Sequence, residues 1–190
     1  MFFLFCRLDN FPSFHTLVQE KSNEGADCTL VMLPGDFLGP SLLSSLDKGA
    51  GMVDILNRVG ITHVCFGNHE CEVPLESLKK RLSQQSRFLW VNSNMRDLDT
   101  KLDVKTLEYD VVTVTNAQGS TKKGAILGLL SNQPSLYRPG SYGNAKILPI
   151  IETTETLDAK LRDEVDFILP MTHQAMDDDR SFAQHFGGTK

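Results

Sequence analysis

Two short apolar runs constrain this chain more than any other feature. Residues 28–33 (CTLVML) stop at Pro34-Gly35, and residues 61–66 (ITHVCF) stop at Gly67. Each reads as a buried strand, apolar and bounded by a chain-turning residue. Between them, residues 51–59 (GMVDILNRV) place Met52, Ile55, Leu56 and Val59 on one helical face, and Gly60 stands where a helix would end. The pattern continues with an amphipathic helix over 74–82, opened by Pro74, and a strand over 88–91. Strand, helix, strand, helix, strand is the signature of a parallel α/β sheet.

The second half changes character. Residues 106–115 and 123–130, separated by Asn116-Ala117-Gln118-Gly119-Ser120, read as a hairpin in a more antiparallel sheet. A Pro/Gly/Ser/Tyr loop over 131–144 leads to a helix over 153–163, a buried strand over 165–170 (VDFILP) and a last helix from Arg180, capped by Asp179. No repeat or linker divides residues 1–190, so the expectation is one domain with no second one.

Charge and termini narrow the partners. The net charge of −5 argues against coating a nucleic-acid polymer or an anionic membrane, which takes clustered Lys and Arg. The apolar residues 1–6 are too short to span a bilayer and lack the basic segment of a signal peptide, giving a cytoplasmic expectation with no membrane segment. Cys6, Cys28, Cys65 and Cys71 form no C-x-x-C pair, so free thiols are expected, Cys28 and Cys65 buried in their apolar runs, and no structural zinc site.

Three polar clusters follow buried strands, the edge at which sites gather in open α/β sheets. They are Gly35-Asp36-Phe37-Leu38-Gly39-Pro40-Ser41, Gly67-Asn68-His69-Glu70 and Met171-Thr172-His173-Gln174. A carboxylate, an amide and an imidazole together suit Mg, Mn, Fe or Zn. Singly, each cluster has a plainer reading as a turn, a cap or a surface imidazole. His15, His63 and His185 carry only that plainer reading, and the acids Asp177 to Asp179 suit a helix N-terminus.

Strand-GD-x-x-x-x-S, strand-GNHE and strand-TH resemble successive motifs of the calcineurin-like metallophosphoesterases. The forms GDFLGPS, GNHE and THQ are most similar to the 5'-nucleotidase branch, over roughly residues 8–186. The resemblance implies an α/β/β/α sandwich, two mixed sheets flanked by helices, incomplete at both ends. It implies hydrolysis of phosphate monoesters, nucleoside 5'-monophosphates foremost, at a centre of two divalent metal ions (Mn, Zn, Fe or Mg). Asp36 would bridge both ions. Asn68 and His173 would ligate the second, and His69 would face the phosphate as hydrogen-bond donor or general acid. Glu70 would support the ligands, while Ser41 and Asn94 would stand behind them or at the substrate edge.

The sequence departs from that pattern at two places. Leu4 and Cys6 stand where the family's first Asp and His fall, with Asp9 the nearest carboxylate, and no Gly-His-x-His follows the last helix. The expectation is a half-site around one ion, and the alternative function is a non-catalytic domain that keeps the fold. The partner is a small phosphate ester or nucleotide, whose base would be gripped in this branch by a C-terminal domain absent here. A chance likeness in an unrelated α/β protein is the remaining reading.

Overall fold

A computed structural model describes residues 10–25 and 28–187. The helices are α1 (Asn10–Ser22), α2 (Leu42–Asp47), α3 (Ala50–Val59), α4 (Leu75–Lys80), α5 (Leu98–Leu102), α6 (Ile150–Leu161) and α7 (Met176–Phe186). The strands are β1 (Met32–Pro34), β2 (His63–Cys65), β3 (Leu89–Trp90), β4 (Tyr109–Thr115), β5 (Thr121–Leu130) and β6 (Phe167–His173). The first sheet has the order β1-β2-β3 and is parallel; in the second, β4 pairs antiparallel with β5, and β5 parallel with β6.

Strand alternation sorts the apolar residues into layers. Cys65, Val91, Ile126 and Met171 point between the sheets. Leu127, Leu129 and Ile168 point the other way, onto Leu157 of α6 and Phe182 of α7. On the far face of the first sheet, Val64 and Trp90 pack under Val53 and Leu56 of α3 and Leu78 of α4. Helices, sheet, sheet and helices give the α/β/β/α sandwich. Among the described residues no helix is long and apolar enough to cross a membrane.

Several elements differ from the sequence reading for local reasons. β1 is half the expected length because the Thr62 hydroxyl occupies Val31, taking its N–H at 3.1 Å and donating to its carbonyl at 3.1 Å. Cys28 precedes the strand and is exposed; Cys65, within β2, is buried as expected. β6 runs past Pro170 to His173 at an edge of its sheet, where a missing N–H is tolerated. α7 starts at Met176, so Asp179 is no cap. Its carboxylate instead accepts from Thr172 Oγ1 at 2.7 Å and Gln174 Nε2 at 2.9 Å, which ties the helix to the end of β6.

The sheets meet closely at one point. Ser93 N–H donates to the Gly128 carbonyl at 2.8 Å, and Gly128 N–H donates to Ser93 Oγ at 3.0 Å. A Cβ on Gly128 would lie 2.1 Å from the Val91 carbonyl oxygen. Because that neighbour is backbone, Gly128→Ala is expected to cost ~2–3 kcal/mol as overpacking, read as a lower urea midpoint. A midpoint equal to the parent's would mean the sheets can part there.

Candidate metal centre

The three loops converge. Asp36 follows β1, Asn68 follows β2, and His173 closes β6 in the other sheet. His173 Nε2 lies 3.0 Å from Asn68 Oδ1 and 3.2 Å from Asp36 Oδ2. Its Nδ1 faces the Pro34 carbonyl oxygen at 2.7 Å. A carbonyl only accepts, so Nδ1 carries a proton and donates. In a neutral ring the Nε2 lone pair then points at two oxygens. With Asp36 ionised and the Asn68 oxygen turned to the ring, that arrangement calls for a proton on Nε2 or a cation among the three atoms.

The electrostatics agree. Burial pushes the Asp36 carboxyl up, but the hydrogen bond and charge of His173 and the His69 N–H outweigh it, leaving Asp36 below its ordinary value. Burial pulls His173 down, but the Asp36 carboxylate and the Pro34 carbonyl outweigh it, leaving His173 above its ordinary value. One carboxylate oxygen, one amide oxygen and one imidazole nitrogen fit a hard or borderline divalent cation. Among the described residues no three His, Cys, Asp or Glu side chains group to hold a metal, so the set depends on the Asn68 amide as its third donor.

Local sequence explains the placement. Gly35 and Gly67 bring two backbones into contact: a Cβ on Gly35 would lie 2.4 Å from Gly67 N, and one on Gly67 would lie 2.3 Å from Asp36 Oδ1. Phe37 and Phe66 anchor the two loops on Trp90, with ring centroids at 5.2 and 4.8 Å. Tyr142, fully buried, donates from its hydroxyl to the Gly67 carbonyl at 2.5 Å.

Glu70 joins the loops. Its carboxylate is buried and accepts four backbone N–H groups: Phe37 at 2.7 Å, Leu38 at 3.0 Å, Asp36 at 2.9 Å and Gly67 at 2.6 Å. Burial raises its pKa, and the N–H groups of Leu38, Asp36 and Phe37 oppose that rise. All four partners are donors, so the set offers no acceptor to a carboxyl proton and suits the anion.

His69 stands beside the donors. Its N–H donates to Asp36 Oδ1 at 2.9 Å, and its Nδ1 meets Glu72 Oε1 at 2.9 Å. Sequence reasoning missed Glu72, although its spacing of three from His69 in a single turn was a usable signal. Two expected supporters do other work. Ser41 caps α2, its hydroxyl accepting from Ser44 N–H at 3.0 Å. Asn94 is not at a substrate edge: it is 1% exposed, and its amide is spent on the Leu130 and Leu148 carbonyls and the Leu130 N–H. His63 is buried between Thr62 and Asp110, and His185 pairs with Glu155 on the surface. Leu4, Cys6 and Asp9 lie outside the described residues.

This sandwich, with glycine-bounded loops gathered at the strand ends, is the fold of the calcineurin-like phosphoesterases and 5'-nucleotidases. The NAD nucleotidase of Haemophilus influenzae superposes with a TM-score of 0.77 at 21% identity, covering 91% of this chain and 33% of that protein. The calcineurin-like phosphoesterase YfkN of Bacillus subtilis superposes at 0.65 and 18% identity, covering 86% of this chain and 53% of that one. In sequence, the snake venom 5'-nucleotidase of Gloydius brevicauda is 28% identical over 116 residues, 60% of this chain and 19% of that protein. No family model matches the chain. The chain therefore spans a fifth to about half of the proteins it resembles.

Proposed function

We propose that the chain is a metal-dependent hydrolase of phosphate monoesters, with nucleoside 5'-monophosphates as its substrates. The observation that carries the reading is the meeting of His173 Nε2 with Asp36 Oδ2 and Asn68 Oδ1, at 3.2 and 3.0 Å, with Nδ1 already committed to Pro34. Those three side chains would hold a divalent cation. Likeness to proteins named nucleotidases adds the substrate class.

When bound, a divalent cation draws charge from phosphoryl oxygens and acidifies water. The protein's own groups supply the rest. The Asp36 carboxylate offsets the cation's charge, and Glu70 fixes the backbone that carries Asp36. His69, held at Nδ1 by Glu72 at 2.9 Å, is the proton donor to the departing oxygen. In the family's two-ion scheme Asp36 would be shared. The described residues would offer donors to one ion, which favours the non-catalytic reading as the second choice.

Metal binding decides first. Equilibrium dialysis with Mn or Zn should give about one ion per chain, and His173→Ala should lower that affinity at least ~10-fold, as expected when one of few ligands is lost. Hydrolysis of AMP and of nitrophenyl phosphate, abolished by chelation, then separates an enzyme from a binding domain. Unchanged metal affinity in His173→Ala would remove the basis of the proposal.

A further inference from the structure

A cleft of about 410 Å³ opens directly beside Asn68, and Arg138 stands on its wall with Glu72 and Ser141. Arg138 is the cleft's cation among the described residues. Its guanidinium makes no hydrogen bond or ion pair to another described residue. Arg58, Arg96, Arg162 and Arg180 each meet a carboxylate, and Arg81 meets carbonyl oxygens; the guanidinium of Arg87, away from the cleft, shares the lack of a partner among the described residues. Among the described residues the one carboxylate on the cleft wall, Glu72, faces His69 at 2.9 Å, which leaves Arg138 without a counter-ion there.

The segment that presents Arg138 is held on both sides. Before it, the Tyr137 hydroxyl donates to the Ser131 carbonyl. After it, Cys71 Sγ donates to Ser141 Oγ at 3.4 Å, and the Tyr142 hydroxyl donates to the Gly67 carbonyl at 2.5 Å. Arg138 is thus carried on a loop fastened to the same turn that carries Asn68, with its charge left over.

We infer that Arg138 is a specificity-determining residue that binds a second phosphate of the substrate, next to the one held at Asp36, Asn68 and His173. The inference rests on the proposed phosphate site. A guanidinium presents a planar fork of donors matched to phosphate oxygens, and a partly solvated one still discriminates by charge. A ribose or a base reaching into this cleft would leave that charge unanswered, whereas the second phosphate of a phosphoanhydride answers it. The substrate class then widens from nucleoside monophosphates to nucleoside diphosphates, held through both phosphates.

The test is calorimetric titration of the full 190-residue chain, with Mg in excess so that no probe strips the site. Orthophosphate reports the first phosphate position. Imidodiphosphate, whose P–N–P bridge resists hydrolysis, reports both. Arg138→Gln should weaken imidodiphosphate ~10-fold, the scale of one charge-assisted pair at the surface, and leave orthophosphate unchanged. Arg138→Lys should recover part of the loss. Imidodiphosphate binding equal in parent and Arg138→Gln overturns the inference, and so does equal weakening of both probes. His173→Ala separates the two proposals. If it leaves orthophosphate binding intact while Arg138→Gln still weakens imidodiphosphate, the metal centre is wrong and the role of Arg138 stands.

Discussion

Glu70→Leu should destabilise the protein by at least ~4 kcal/mol at 25 °C. The leucine fills similar space but strands four buried N–H groups, those of Asp36, Phe37, Leu38 and Gly67. Each unsatisfied donor costs ~1–3 kcal/mol, so the loss is at least ~4 kcal/mol, against a total stability of about 5–15 kcal/mol for a domain. Glu70→Gln separates shape from hydrogen bonding. Its carbonyl oxygen keeps one pair of donors, Phe37 and Leu38 or Asp36 and Gly67, while its amide N–H₂ faces the other pair, so an intermediate loss is expected. Urea denaturation followed by far-UV circular dichroism gives all three midpoints. A leucine variant within about 1 kcal/mol of the parent would show that the loops hold themselves and that the carboxylate is incidental.

His69→Asn and Asp36→Asn should fail in different ways. Asparagine at 69 keeps the backbone N–H that reaches Asp36 Oδ1 at 2.9 Å. It removes only the imidazole, so metal stoichiometry should stay near the parent's while phosphate ester turnover drops ~10²–10⁴-fold, the range for losing a general acid. The drop should be larger with AMP, whose ribose oxygen needs a proton, than with nitrophenyl phosphate, whose leaving group departs without one. Asparagine at 36 removes the negative charge that sits 3.2 Å from His173 Nε2. Without that charge a cation at the donors is poorly compensated in a half-buried site, and occupancy should fall together with rate. Metal analysis after dialysis, with both substrates, distinguishes the two variants. If His69→Asn sheds metal as readily as Asp36→Asn, His69 is a ligand and its assignment as proton donor is wrong.

The frame of the fold was legible because its signals are local. Glycine-bounded apolar runs marked β1 and β2, helical spacing marked α3, and Gly60 ends that helix with φ of 91° as expected of its place after Val59. The convergence at the candidate site was legible where a motif closed a strand: Asp36, Asn68 and His173 sit far apart in sequence and meet at one edge. What stayed hidden depends on partners that no local periodicity or motif announces. The Asp179 carboxylate looked like a cap because nothing nearby announces its bonds to Thr172 and Gln174. Asn94 looked available because its three backbone partners lie beyond residue 129. α5 spans only Leu98–Leu102, too short to show a period. Glu72 was within reach, since His69 and Glu72 share a turn, but the motif GNHE draws attention away from the residue two places beyond it.

Asp36 and Asn68 ride on the first sheet and His173 on the second, so the gap between them is an inter-sheet distance. The seam that sets it is polar as well as apolar: Ser93 is joined to Gly128 in both directions, Asn94 clasps Leu130, and His63 Nε2 meets Asp110 Oδ2 at 3.0 Å. Hydrogen bonds of this kind resist shear, whereas greasy surfaces slide. The three side chains are therefore spaced like the jaws of a caliper, locked by residues outside the candidate centre. In the proposed metal centre that seam would decide which ionic radius fits, and a change at Ser93 would retune the choice of cation with Asp36, Asn68 and His173 unchanged.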